Sequence, residues 1–158
     1  MPRFLESDLI IDFPDDVNVV QLEKETEKVH GMQPVDFIFT HGDHTILLEI
    51  KNFRQRSDIK KITSETLAKQ EIVPKARDSY SYLHLMLRDH NDFFLVFLFD
   101  SPLIEYIRPL LPVLNSSINR YLMKEAPEPW KRQYIKRSVI MTPENFTTYF
   151  PGISVTRK

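Results

Sequence analysis

The chain has 158 residues, 42% of them hydrophobic and 27% charged, a length that builds one domain whose core needs no staples. It contains no cysteine, which excludes a disulfide framework, a thiolate zinc site, an iron–sulfur cluster and a cysteine nucleophile. Lys and Arg number 21 against 22 Asp and Glu, a net charge of −1, so a uniformly basic coat for nucleic acid is excluded.

Residues 9–13 form a short apolar run ending at the turn signal Pro14-Asp15-Asp16, and residues 17–22 are β-branched. The two are predicted to pair as a hairpin. Residues 23–30 are charged and admit either a helical turn or a loop. Residues 35–40 (VDFIFT) and 45–53 (TILLEIKNF) carry strong strand patterns. Between them His41-Gly42-Asp43-His44 places Gly-Asp at the centre of a two-residue hairpin turn. Residues 64–90 are mainly helical in pattern, divided by Pro74 at a first-turn position. From there Val73, Ala76, Tyr80, Leu83 and Leu87 fall on one apolar stripe.

Residues 93–99 (FFLVFLF) are apolar on both faces, the pattern of a central strand covered on both sides. Residues 103–124 are helical, with interruptions near Pro109 and Pro112, and residues 126–130 (APEPW) read as a loop. A strand over 134–141, a short helix over 143–150 started by Thr142, and a last strand over 153–156 complete a mixed α/β chain. The longest apolar run is far short of the ~20 residues that cross a membrane. Glu6, Asp8 and Asp12 among the first apolar residues argue against a signal peptide. A cytoplasmic, single-domain protein with no membrane partner is expected.

The central hairpin can be read in register. With Gly42 and Asp43 as the loop, His41 faces His44, Ile38 faces Leu47 and Asp36 faces Glu49. Alternation then places Asp36, Ile38, Leu47, Glu49 and Lys51 on one face, and Val35, Phe37, Phe39, Ile46, Leu48 and Ile50 on the other. Both faces are largely apolar, yet one carries two carboxylates whose Cβ atoms would lie ~5 Å apart. Opposed like charges weaken a sheet pair, and buried charges are costly unless paired or bound to a metal. One lysine does not satisfy two carboxylates, whereas a hard divalent cation does.

Asp36, twelve intervening residues, and Glu49-Ile50-Lys51 resemble the Asp…Glu-x-Lys signature of the PD-(D/E)XK, or restriction-endonuclease-like, nuclease superfamily. The local proline stands in Pro34-Val35-Asp36. The string VDFIF…ILLEIKNFR, followed by a helix with Lys75-Ala76-Arg77-Asp78-Ser79, is similar to small stand-alone bacterial members. The resemblance implies a restriction-endonuclease-like mixed β-sheet flanked by helices on both faces. It implies Mg²⁺ or Mn²⁺ held by Asp36, Glu49 and the backbone carbonyl of Ile50. The metal would polarise a scissile phosphate and lower the pKa of a nearby water. Lys51 would position that water or stabilise charge on the phosphate. Many members add an acid from a helix before the Asp strand, and Glu23, Glu25, Glu27 and Asp12 are the candidates here.

Charge is distributed unevenly. Residues 1–50 hold 3 basic and 11 acidic residues, and residues 51–158 hold 18 and 11. The basic excess begins at Lys51, where Arg54, Arg56, Lys60, Lys61, Lys75 and Arg77 offer a phosphate-binding rim. Lys131, Arg132, Lys136 and Arg137, interleaved with Trp130 and Tyr134, form a second basic cluster that could stack on bases. Tyr80, Tyr82 and Tyr106 are read as core, and His41 and His44 as turn residues. The expected partner is nucleic acid, DNA ahead of RNA, bound by a homodimer or a larger complex. The alternative is a catalytically inactive nucleic-acid-binding or protein-interaction module on the same fold.

Overall fold

The protein is described by a computed structural model over residues 1–123, 128 and 130–158. A five-stranded mixed sheet forms its centre, in the order β3-β4-β5-β6-β7. These strands are β3 (Val19–Val20), β4 (Phe37–His41), β5 (His44–Asn52), β6 (Asp92–Asp100) and β7 (Arg137–Met141). Gly42, at φ 59, makes the tight β4–β5 turn. The pairs His41 with His44 and Ile38 with Leu47 follow the register read from the sequence. β6, apolar from Phe93 to Phe99, is interior and runs parallel to β5 and β7.

One face of the sheet is covered by helices. They are α2 (Arg56–Thr63), a π-helical turn (Leu67–Ile72) running into α3 (Val73–Leu85), α4 (Ile104–Ile107) and α5 (Leu111–Met123). Ile38, Leu47, Phe97 and Phe99 of the sheet pack there against Ile62, Leu67, Ala76, Leu83, Leu114 and Ile118. Pro74 in the first turn of α3 has no N–H for the preceding turn, and the helix widens to π geometry just before it. Glu65, at φ 63, separates α2 from this segment and anchors it to Arg120 and Tyr121 of α5.

The opposite face carries a helix, as expected, and in addition a second sheet that was not. It carries a three-stranded antiparallel sheet, β1 (Arg3–Glu6), β2 (Leu9–Asp12) and β8 (Ser154–Arg157), with one helix among the described residues, α6 (Pro143–Tyr149). Leu9, Ile11, Phe13, Phe146 and Phe150 seal it against Phe37, Phe39, Leu48 and Leu98. Thr142 caps α6 by accepting from the Asn145 N–H, as its sequence position predicts.

Four further expectations are corrected. The N-terminal hairpin joins β1 to β2 rather than residues 9–13 to 17–22, because Ser7 and Asp8 take left-handed φ values of 50 and 66 without a glycine to signal it. Val19 and Val20 instead pair with Phe39 and Ile38. Val35 packs with the helix-side core, since the chain bends before β4 begins and its N–H donates to Ser79 Oγ at 2.8 Å. Leu87 lies past the end of α3 at φ 58 and is 86% exposed, and Tyr106 is 65% exposed rather than core. The loop read at 126–130 falls mostly outside the described residues. Among the described residues no helix is long and apolar enough to cross a membrane.

Candidate metal centre

The register that pairs Phe37 with Leu48 brings Asp36, one residue before β4, across from Glu49 in β5. Both are buried, at 6% and 1% exposure. The Ile50 N–H donates to Asp36 Oδ2 at 2.8 Å, so the carboxylate takes over where the β4 ladder has not yet started. Glu49 Oε2 accepts from Lys75 Nζ at 2.6 Å. Its other oxygen, Oε1, is buried and has no hydrogen-bond partner. Ser79, one helical turn beyond Lys75, holds Val35 and accepts a place in the same bracket by donating to the Lys75 carbonyl at 2.7 Å.

Two more acids converge here. Glu23 sits on the short helix α1 (Leu22–Glu25), and Glu6 ends β1 at the tip of the N-terminal hairpin. One carboxylate oxygen from each of Glu6, Glu23 and Asp36 lies within 4.8 Å of the others. The hairpin tip is clamped onto the end of β5. Ser7 Oγ donates to the Ile50 carbonyl at 3.4 Å, Asn52 Nδ2 donates to the Ser7 carbonyl at 3.3 Å, and Arg54 pairs with Asp8. The result is an open pocket of about 320 Å³ lined by Glu6, Glu23, Asp36, Glu49, Lys51 and Lys75 among others.

The charge balance is unfavourable to the acids. Burial, reinforced by the neighbouring Glu49 charge, pushes Asp36 up to about 9. Glu6 is also raised, by burial first and then by Glu23 and Glu49. Burial pulls the Lys75 ammonium down, but Glu49, Asp36 and Glu23 outweigh that and hold it above the ordinary lysine value. An all-oxygen donor set with one orphaned, fully buried carboxylate oxygen and one carboxylate forced to keep a proton suits a hard cation. Glu6, Glu23 and Asp36 could hold such an ion, and Glu49 lines the same pocket.

The remaining sequence candidates are distributed as follows. Lys51 lines the pocket, with its ammonium at 2.9 Å from Glu71 of the π-helical turn. Of the extra acids, Glu23 alone joins the centre: Glu25 pairs with Arg88, Glu27 is exposed, and Asp12 is taken by Arg3 on the outer sheet. Arg56, Lys60 and Lys61 are exposed on α2 and enter no ion pair among the described residues. Lys75, read as a phosphate contact, reaches Glu49 instead of the outer rim. Arg77 lies 3.8 Å from Asp78 and lines a separate pocket with Trp130, Lys131, Arg132 and Tyr134. Glu6 and Glu71 were not singled out in the sequence. No periodic pattern marks Glu6, because its place depends on a glycine-free turn folding back over β5.

Compared with family models, curated proteins and solved structures, the chain matches none.

Proposed function

We propose that the chain is a metal-dependent nuclease of the PD-(D/E)XK type, cleaving phosphodiester bonds of nucleic acid, DNA ahead of RNA, with Mg²⁺ or Mn²⁺ as cofactor. The observation that carries this reading is the buried pair Asp36 and Glu49, opposed on adjacent strands, with Glu49 Oε1 unpartnered. Such an arrangement destabilises the apo fold and is retained where a cation completes it. The metal supplies a Lewis acid for the scissile phosphate.

The chain's own residues do the rest. Asp36, Glu49, Glu23 and Glu6 bind the ion, and rigid strand placement of the first two orients it. Lys75 balances Glu49 when the ion is absent. Lys51, on the same strand two residues beyond Glu49, faces the pocket and supplies positive charge to the phosphate oxygens as they gain charge. For that, Lys51 must leave Glu71, an exchange that a partly exposed ion pair permits at little cost.

One feature favours the inactive-module reading: Lys75 already neutralises half of the opposed pair. Incubation of plasmid, single-stranded DNA and RNA with Mn²⁺ or Mg²⁺ separates the two readings. Cleavage abolished by Glu49→Ala and by Lys51→Ala is expected. Salt-sensitive binding without cleavage of any substrate indicates the nucleic-acid-binding module, and neither binding nor cleavage refutes both nucleic-acid readings.

A further inference from the structure

Past the carboxyl ends of β5 and β6, the edge where open α/β sheets place ligands, α2 and α4 enclose a second hollow. It has a volume of about 590 Å³ and is lined by Arg56, Ile59, Lys60, Thr63, Leu103 and Tyr106. Its floor is tied to the sheet: Ser101 Oγ donates to the Phe53 carbonyl and accepts from the Leu103 N–H at 2.9 Å. Arg56 and Lys60 stand one helical turn apart on α2, on the same side. Neither has an acidic partner among the described residues. The acids of the two enclosing helices are engaged elsewhere, Asp58 in the cap of α2 and Glu105 with Arg108. Tyr106, 65% exposed, presents its ring between α4 and this basic side.

We propose that this hollow binds a single strand of DNA, with Tyr106 stacking on a base and Arg56 and Lys60 holding the flanking phosphates. The inference rests on the nuclease reading for its direction: five residues of chain from Lys51 to Arg56 span at most about 17 Å, so strand held here lies a few nucleotides from the acidic pocket. Stacking needs an unpaired base, and an exposed aromatic ring beside unpartnered cations is the pattern of single-strand platforms that tolerate any sequence. Ile59 and Leu103 give the base an apolar floor, and Thr63 offers a hydroxyl.

The test uses the full chain in EDTA, so that binding is read without cleavage. Fluorescence anisotropy compares a labelled 15-nucleotide oligo(dT) with a duplex of the same length. The single strand is expected to bind more tightly, and Tyr106→Ala to weaken it about 5- to 100-fold, with Tyr106→Phe close to wild type. Arg56→Ala and Lys60→Ala should each lower the slope of log affinity against log salt by about 0.7. Tyr106 and both cations are exposed, and circular dichroism of each variant confirms the fold. Unchanged binding in Tyr106→Ala, preference for the duplex, or no binding of oligo(dT) by the wild type each overturns the proposal. Cleavage with Mn²⁺ is scored separately. Tyr106-dependent binding without cleavage leaves the hollow and removes the nuclease reading, and cleavage with Tyr106-independent binding does the reverse.

Discussion

Replacing Asp36 by Asn is expected to stabilise the metal-free protein at neutral pH while abolishing its response to divalent cations. In the folded state Asp36 is raised from 3.8 to about 9 by burial beside Glu49. Below pH 4 both folded and unfolded chains carry the proton, and Asp36 costs the fold nothing. Between pH 4 and 9 the unfolded chain has released the proton and the folded chain keeps it, so stability falls as pH rises. At pH 7 the gap is about three pH units at about 1.4 kcal/mol each, an upper bound of about 4 kcal/mol. Asn escapes that loss: its oxygen still accepts from the Ile50 N–H, and its amide takes over the hydrogen bond that protonated Asp36 makes to Glu49. Urea unfolding in EDTA, followed by circular dichroism at pH 4.5, 7 and 8.5, measures the difference. The variant should gain about 1–4 kcal/mol at pH 7 and little at pH 4.5, and Mn²⁺ should raise the melting temperature of the wild type alone. Equal or lower stability of Asp36→Asn at pH 7, with the same pH slope as the wild type, would refute the view that the opposed pair is a burden relieved by a cation.

Lys75→Met strands the buried Glu49 carboxylate and should destabilise the metal-free fold by about 3–5 kcal/mol, with saturating Mn²⁺ recovering more stability than it adds to the wild type in a thermal melt. Ser79→Ala leaves the buried Val35 N–H without its acceptor and should cost about 1–3 kcal/mol in urea unfolding. Glu23→Gln should weaken Mn²⁺ binding by calorimetry at least about tenfold, whereas Glu27→Gln, exposed and outside the cluster, should leave it unchanged. Leu47→Ala empties a fully buried position between sheet and helices and should cost about 2–5 kcal/mol without moving the acids of the pocket.

Much of the centre was legible before the fold was known, because it rests on local rules. The Gly42-Asp43 turn specifies the β4–β5 register, strand alternation specifies the faces, and together they oppose Asp36 and Glu49 without knowledge of anything distant. The β6 pattern, apolar on both faces, was equally decisive, since only a strand covered on both sides tolerates it. Pro74 and Thr142 marked helix starts for the same local reason, a missing N–H in one case and a capping oxygen in the other.

Tertiary structure decided what depends on contacts between segments far apart in the chain. Ser7 and Asp8 adopt left-handed conformations that no glycine announces, and the resulting hairpin carries Glu6 across to a strand more than forty residues away. The choice of Glu23 over Glu25, Glu27 and Asp12 follows from where α1 docks and from which acids Arg88 and Arg3 take. Which lysine meets Glu49 was also beyond local reach. Alternation placed Lys51 on the same face of the sheet, but the π-helical turn delivers Glu71 to Lys51 and α3 delivers Lys75 to Glu49. Neighbouring residues alone set the opposed carboxylates and the strands that present them, since register is a local property. Only the packed structure decided their partners, since long side chains go where the lowest-energy oppositely charged group lies in space rather than along the chain.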